Sequence, residues 1–188
     1  MTDYTQAVAE MDISEARPGT PGSLAGRIEL PRVTLEPRRG VEIGAYLASC
    51  RSLADRLLDS LGGRLAGRRV TVIGTEEYML PGLLFGEALG QTGAAASVRF
   101  HATTRSPIGL CGRPGYPIRG GVRLPGFYAA DRVTYLYNLG ETDIAVILTD
   151  SPDEQAAEAA GAALAGALAQ AGCPETILVR EAGYVQHI

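Results

Sequence analysis

Twice along this chain a short run of apolar, β-prone residues ends in a polar turn, passes into a helical stretch and returns to a second apolar run. That alternation constrains the fold more than any other feature. A strand, a helix and a returning strand form a βαβ unit, and two parallel strands need such a crossover between them. The first unit comprises Val70–Ile73, a helix-like run from Leu80 to Leu89, and Ser97–Ala102. The second comprises Ile144–Thr149, an alanine-rich helix over Asp153–Ala171, and Thr176–Val179. Ile144–Thr149 is the strongest buried-strand signal, and Asp150, Ser151, Pro152 and Asp153 are start signals for the helix behind it. The expectation is an α/β fold with a single Rossmann-like open sheet, mostly parallel.

The remaining segments fit around that sheet. Ile28–Leu35 reads as a short strand, and Pro31 assigns it to an edge. Over Val41–Leu61, Ile43, Tyr46, Cys50, Leu53, Leu57 and Leu61 step by three or four and predict an amphipathic helix stopped by Gly62-Gly63. Val133–Tyr137 reads as another strand. Residues 103–126 are rich in glycine and proline and read as a long lid loop. Residues 1–25 are expected as a flexible N-terminal arm and 26–188 as one α/β domain, a size suited to a single core.

Composition removes several mechanisms. All 17 basic residues are arginine, so neither a lysine Schiff base nor a Walker-A lysine is available. Only His101 and His187 exist, which leaves no multi-histidine metal site, and no metal ligands are expected. Cys50, Cys111 and Cys173 have no zinc-ligand or redox spacing and read as reduced thiols. A net charge of −4 argues against a nucleic-acid partner. No apolar run reaches the roughly 20 residues of a membrane helix, and Met1–Glu15 lacks a signal-peptide core. No membrane partner and a cytoplasmic location are the expectations.

Four constellations carry candidate chemistry. Thr103-Thr104-Arg105-Ser106-Pro107 follows a strand at the sheet edge where open parallel sheets bind ligands. Its hydroxyls and guanidinium suit a phosphate or carboxylate, and the alternative is a polar turn that caps its own backbone. From Ala88 to Ala130 there is no acidic residue but five arginines, Arg99, Arg105, Arg113, Arg119 and Arg123, which focus a small anion. Glu76 and Glu77, after Gly74-Thr75, are candidate catalytic acid/base residues or Mg²⁺ ligands, one of them structural. Asp150, at the end of the best strand, suits a ribose or a metal as well as it suits a helix cap. Tyr137 and Asn138 suit a base or ribose, with core packing as the alternative, and Tyr116 marks the lid's aromatic tip.

These motifs together resemble the TRSP domain family. Thr104-Arg105-Ser106-Pro107 is the signature that names it, and Gly74-Thr75-Glu76-Glu77, Gly115-Tyr116-Pro117-Ile118 and Tyr137-Asn138-Leu139 are similar in order and spacing, from about residue 26 to residue 150. The resemblance implies a domain that follows a phosphoribosyltransferase-like domain in bacterial tellurium-resistance-type stress operons, which are thought to make a nucleoside-like metabolite. It implies a phosphorylated, ribose-containing ligand, Mg²⁺ where the substrate brings it, and a phosphoribosyltransferase on a separate chain. An enzyme and a non-catalytic partner or regulatory subunit both fit, and a homo-oligomer stays open. The chain order is also distantly phosphoribosyltransferase-like. Here the acidic loop Asp150-Ser151-Pro152-Asp153-Glu154 departs from that family's phosphate loop in lacking glycine and carrying extra negative charge.

Overall fold

The computed structural model describes residues 14–183. Among the described residues eight strands occur in chain order: β1 (Arg17–Pro18), β2 (Gly26–Pro31), β3 (Arg69–Gly74), β4 (Ser97–Ala102), β5 (Gly121–Pro125), β6 (Val133–Tyr137), β7 (Ile144–Thr149) and β8 (Thr176–Ala182). Three α-helices join them: α1 (Ile43–Leu65), α2 (Met79–Thr92) and α3 (Glu154–Gln170). A five-stranded sheet has the order β2-β8-β7-β3-β4, and every pairing in it is parallel. The α/β class and the two βαβ units are therefore as read: β3-α2-β4 and β7-α3-β8 each connect neighbouring strands. Pro31 ends β2 at an edge of this sheet, where a missing N–H costs no ladder bond.

The alternation of side chains builds two cores. Ile144, Val146 and Leu148 of the central strand β7 face a cluster containing Leu53, Leu57, Leu61, Phe85 and Leu89 of α1 and α2. Ala145 and Ile147 face the other way, toward Ala160, Leu164 and Leu168 of α3 and Val122, Leu124 and Leu136 of a second sheet. Every residue of β7 is buried, the pattern of a strand covered on both faces.

Three features differ from the sequence reading. Helix α1 runs through Gly62-Gly63 to Leu65. Leu65 is wholly buried, one turn beyond Leu61 on the same face, and its burial outweighs the roughly 1 kcal/mol that each mid-helix glycine costs. The helix ends at Ala66, and Gly67 takes the left-handed backbone (φ 70°). The expected lid is partly a strand: β5 pairs antiparallel with β6 and parallel with β1 in a separate three-stranded sheet. Val122 and Leu124 provide its buried face, a signal too short to stand out between Gly121 and Pro125. Finally, Ser14–Ala25 does not hang free. It pairs with Leu110, runs beside β5, and crosses α3 where Gly22 N donates to Ala162 O at 2.7 Å. The rest of the expected arm, residues 1–13, lies outside the described residues, as does His187.

Candidate functional site

Strands β2, β8 and β7 end side by side, and the chain that follows them encloses a cavity of about 530 Å³. Its centre is Asp150, the residue after β7, with a side chain only 1 % exposed. Asp150 Oδ2 accepts from Arg32 at 2.8 Å and from Arg38 at 3.2 Å, and Oδ1 accepts from the Tyr128 hydroxyl. The Arg38 guanidinium also lies 5.3 Å from the centre of the Tyr128 ring. Burial and the neighbouring Asp150 charge push the Tyr128 phenol well above its ordinary range, so it stays a donor.

The arginines are set by a short 3₁₀ turn, Pro37–Arg39. Glu36 caps it by accepting from the Arg38 amide at 3.2 Å, and its carboxylate holds Arg38 at 2.9 Å and Arg32 at 3.2 Å. Proline presets the turn, and Gly40 leaves it with φ 78°. Arg38 reaches outward as well: its Nε donates to Glu77 at 2.9 Å, and Glu77 accepts from Arg105 at the same distance. Alternating charges thus run from Arg105 through Glu77 and Arg38 to Asp150 and Arg32. Arg39 also lines the cavity and, among the described residues, has no side-chain partner. Arg180, on a third wall, is held by Glu29 and by Glu154 at 3.2 Å.

Below this layer Glu181, 2 % exposed, accepts from the Val33 amide at 2.8 Å and from the hydroxyls of Thr34 and Tyr78. Burial and the Glu181 charge push the Tyr78 phenol far up. The network fixes the end of β8 to the chain leaving β2 and to the start of α2, which holds the cavity floor rigid.

The residues predicted from sequence separate into three groups. Asp150 lines the cavity, and Glu77 and Arg105 connect to it through Arg38. Glu76 points elsewhere. It is buried, takes φ 48°, donates its amide to Thr103 Oγ1 at 2.9 Å, and accepts from the Phe127 amide at 3.0 Å. Glu76 and Thr103 therefore join the two sheets. Thr104 exchanges backbone hydrogen bonds with Tyr135, and its hydroxyl accepts from the Ser106 amide at 3.2 Å. Tyr137 donates to Ser106 O at 3.0 Å and accepts from the Ile108 amide at 2.6 Å. Tyr116 donates to Gly109 O at 2.9 Å. Asn138, at φ 51°, accepts from the amides of Arg119 and Gly120 and donates to Pro117 O at 2.7 Å. The structure thus places Tyr116, Tyr137 and Asn138 as braces of the 106–120 loop and does not bring them to Asp150. Arg32, Arg38, Arg39, Arg180 and Tyr128 were missed. The pair Arg38-Arg39 before Gly40 at a strand exit was the available signal.

Among the described residues, no group of three or more His, Cys, Asp or Glu is gathered as a metal site, and no helix is long and apolar enough to cross a membrane. Chemically, the cavity offers guanidinium forks for an anion and, at Asp150, carboxylate acceptors for hydroxyls once Arg38 or Tyr128 gives way.

The profile of the family described as "TRSP domain C terminus to PRTase_2" matches residues 38–168, more than half of the chain. The chain belongs to the TRSP family. The matched span begins at Arg38 and includes Glu77, Arg105 and Asp150, so the charge chain of this TRSP domain lies almost wholly within it. Curated protein sequences give no match. Among solved structures, adenine phosphoribosyltransferase from Saccharomyces cerevisiae, complexed with an imino-altritol bisphosphate and adenine, is similar at 13 % identity. The likeness covers 97 % of this chain and 90 % of that one, with a TM-score of 0.40.

Proposed function

We propose that this TRSP domain binds a phosphorylated, ribose-containing small molecule of nucleoside-like type in the cavity around Asp150. It serves a pathway that it shares with a phosphoribosyltransferase on a separate chain. The observation that carries the reading is a buried carboxylate covered by exchangeable donors beside a guanidinium with no partner among the described residues. Arg39, which has no side-chain partner among the described residues, meets the phosphate, and Arg38 passes from Asp150 to the incoming anion. Asp150 then accepts from the sugar hydroxyls. Glu77, at the exposed end of the charge chain, is the better placed of the two glutamates to act on a ligand, because Glu76 is committed to Phe127. Thr103, Thr104 and Ser106 set the path of the turn that carries Arg105. Any Mg²⁺ arrives with the ligand's phosphate. The family's description, a domain C-terminal to PRTase_2, supports the phosphoribosyl context.

Calorimetry with ribose 5-phosphate and ribose tests the reading. Ribose 5-phosphate binds saturably and ribose does not, and Arg39→Gln weakens the complex roughly tenfold or more, the worth of a hydrogen bond to a charged group. Equal heats from the two sugars refute it.

One observation favours a non-catalytic role at the same site: Glu77 is held by two guanidinium groups, and Glu76 by a backbone amide, so neither is a free base. In that case the domain regulates the phosphoribosyltransferase, and adding it to the purified enzyme changes turnover without a new product.

A further inference from the structure

The turn that gives the family its name has a second side. Arg105 leaves it toward Glu77, while Pro107, Ile108 and Gly109 enter the wall of another cavity, of about 390 Å³. Tyr135 of β6 forms a second wall, and Ser14–Ala16 close a third. That third wall is fixed: Ser14 and Leu110 exchange backbone hydrogen bonds of 2.9 and 2.8 Å.

Tyr135 is held as a flat platform. Its ring stacks on Tyr137 with centroids 6.1 Å apart and planes 4° from parallel. The Tyr137 hydroxyl is pinned in turn by Ile108 N and Ser106 O, so the lower ring of the stack cannot tilt. Arg123 lies opposite Tyr135 in the β5/β6 register and lines the same cavity. The side chains of Arg123 and Glu15 have no hydrogen-bond or ion-pair partner among the described residues. Ile108 leaves 38 % of its surface exposed.

We propose that this cavity binds a planar aromatic heterocycle of nucleobase size. Each wall selects for that class. A preoriented tyrosine face rewards a flat π-system, as aromatic side chains do for single bases. Ile108 supplies apolar contact on the rim. The uncommitted guanidinium and carboxylate match the donor and acceptor edge of a base. A free phosphate gains nothing from Tyr135 and Ile108, and an alkyl chain makes no use of the exposed charges of Arg123 and Glu15. The volume lies within the roughly 300–1,000 Å³ of small-ligand sites. This inference does not rest on the sugar-phosphate reading, because the ligand it names needs neither group.

The test uses adenine and cytosine, which lack ribose and phosphate, with the full-length chain in saturation-transfer NMR and calorimetry. At least one base binds saturably, and saturating ribose 5-phosphate does not displace it. Tyr135→Leu weakens binding by about tenfold, the lower part of what losing a base-stacking ring does. Tyr135→Phe keeps it. Ile108→Trp, at an exposed position that folding tolerates, fills the cavity and abolishes binding. The proposal is overturned if neither base binds, if ribose 5-phosphate competes the base away, or if Ile108→Trp binds like the wild type. Should Tyr135→Leu fail to fold, the tryptophan variant decides. Failure here leaves the ribose 5-phosphate result standing, and the reverse also holds.

Discussion

Gly166 in α3 is the position where adding one methyl group separates two opposing effects. In an open helix interior, glycine to alanine stabilises by about 0.8–1.0 kcal/mol. Gly62 of α1 is such a site, since nothing lies within 4 Å of its added Cβ. At Gly166 the same Cβ would stand 1.8 Å from Thr20 O and 3.0 Å from Gly22 N, where real Cβ contacts are essentially never shorter than 3.0 Å. Both neighbours are backbone, so no rotamer relieves the clash and the strap formed by residues 14–25 must retreat. Retreat breaks the bonds from Gly22 N to Ala162 O and from Gly19 N to Arg123 O, both 2.7 Å. At about 0.5–1.5 kcal/mol each, these losses and the packing lost with them exceed the helix gain. Gly166→Ala is therefore expected to lose about 1–2 kcal/mol in urea unfolding, while Gly62→Ala gains up to about 1 kcal/mol. Amide exchange over residues 14–25 accelerates only in the Gly166 variant. If Gly166→Ala is stabilised as much as Gly62→Ala and the strap keeps its protection, the close crossing is refuted.

Three further outcomes follow from burial and charge. Asp150→Ala leaves Arg32, whose side chain is 9 % exposed, with Glu36 as its remaining carboxylate, and is expected to cost about 2–4 kcal/mol in denaturant unfolding; Arg38, more exposed, adds little. Burial first, and then the Arg99 charge, holds His101 below its ordinary value of 6.5. The unfolded chain therefore binds the proton more readily, and stability present above that value is lost as pH falls through it toward the folded value. Melting curves of wild type and His101→Gln across that range should converge at the acid end relative to neutral pH. Cys50, Cys111 and Cys173 are all buried, and burial raises the thiols of Cys50 and Cys173, so a thiol reagent should label none rapidly in the native chain and all three in denaturant.

How far the sequence reveals this fold depends on how long each pattern runs. Five successive apolar residues before Thr149 mark β7 because a strand covered on both faces needs no polar alternation. The nineteen-residue pattern of α1, Ile43 to Leu61, marks its helix, yet misplaces its end, because one buried leucine beyond Gly62-Gly63 decides whether another turn forms. Strand β5 shows only Val122 and Leu124 as its inward face. Two residues are below any periodic signal, and what makes the strand is its partner β6, eight residues further along the chain. The strap is hidden for the same reason: Gly22 reads as a loop residue until the small face of α3 at Gly166 lies against it.

The candidate site was legible where a polar group follows a strand end and illegible where it depends on strand order. Glu77, Arg105 and Asp150 each come shortly after a parallel strand, which is why their positions could be read without a structure. The same rule selected Asn138 and Tyr137, and there it met its limit. A long loop must satisfy its own amides and carbonyls, and the residues that do so are the polar and aromatic types that also hold ligands. The meeting of the arginines with Asp150 was hidden for the opposite reason. Arg32 and Asp150 are 118 positions apart and meet only because β8 lies between β2 and β7 and all three end at one edge. That order brings a cationic turn over the central strand's carboxylate, and it makes Arg38 serve two purposes. Arg38 neutralises Asp150 in the structure; on the proposed reading, an anion that draws it away would expose the acceptors that a sugar's hydroxyls need. On the proposed reading, phosphate and sugar binding at this edge would be coupled through one side chain, and a phosphate-free sugar would have to displace Arg38 with no compensating contact.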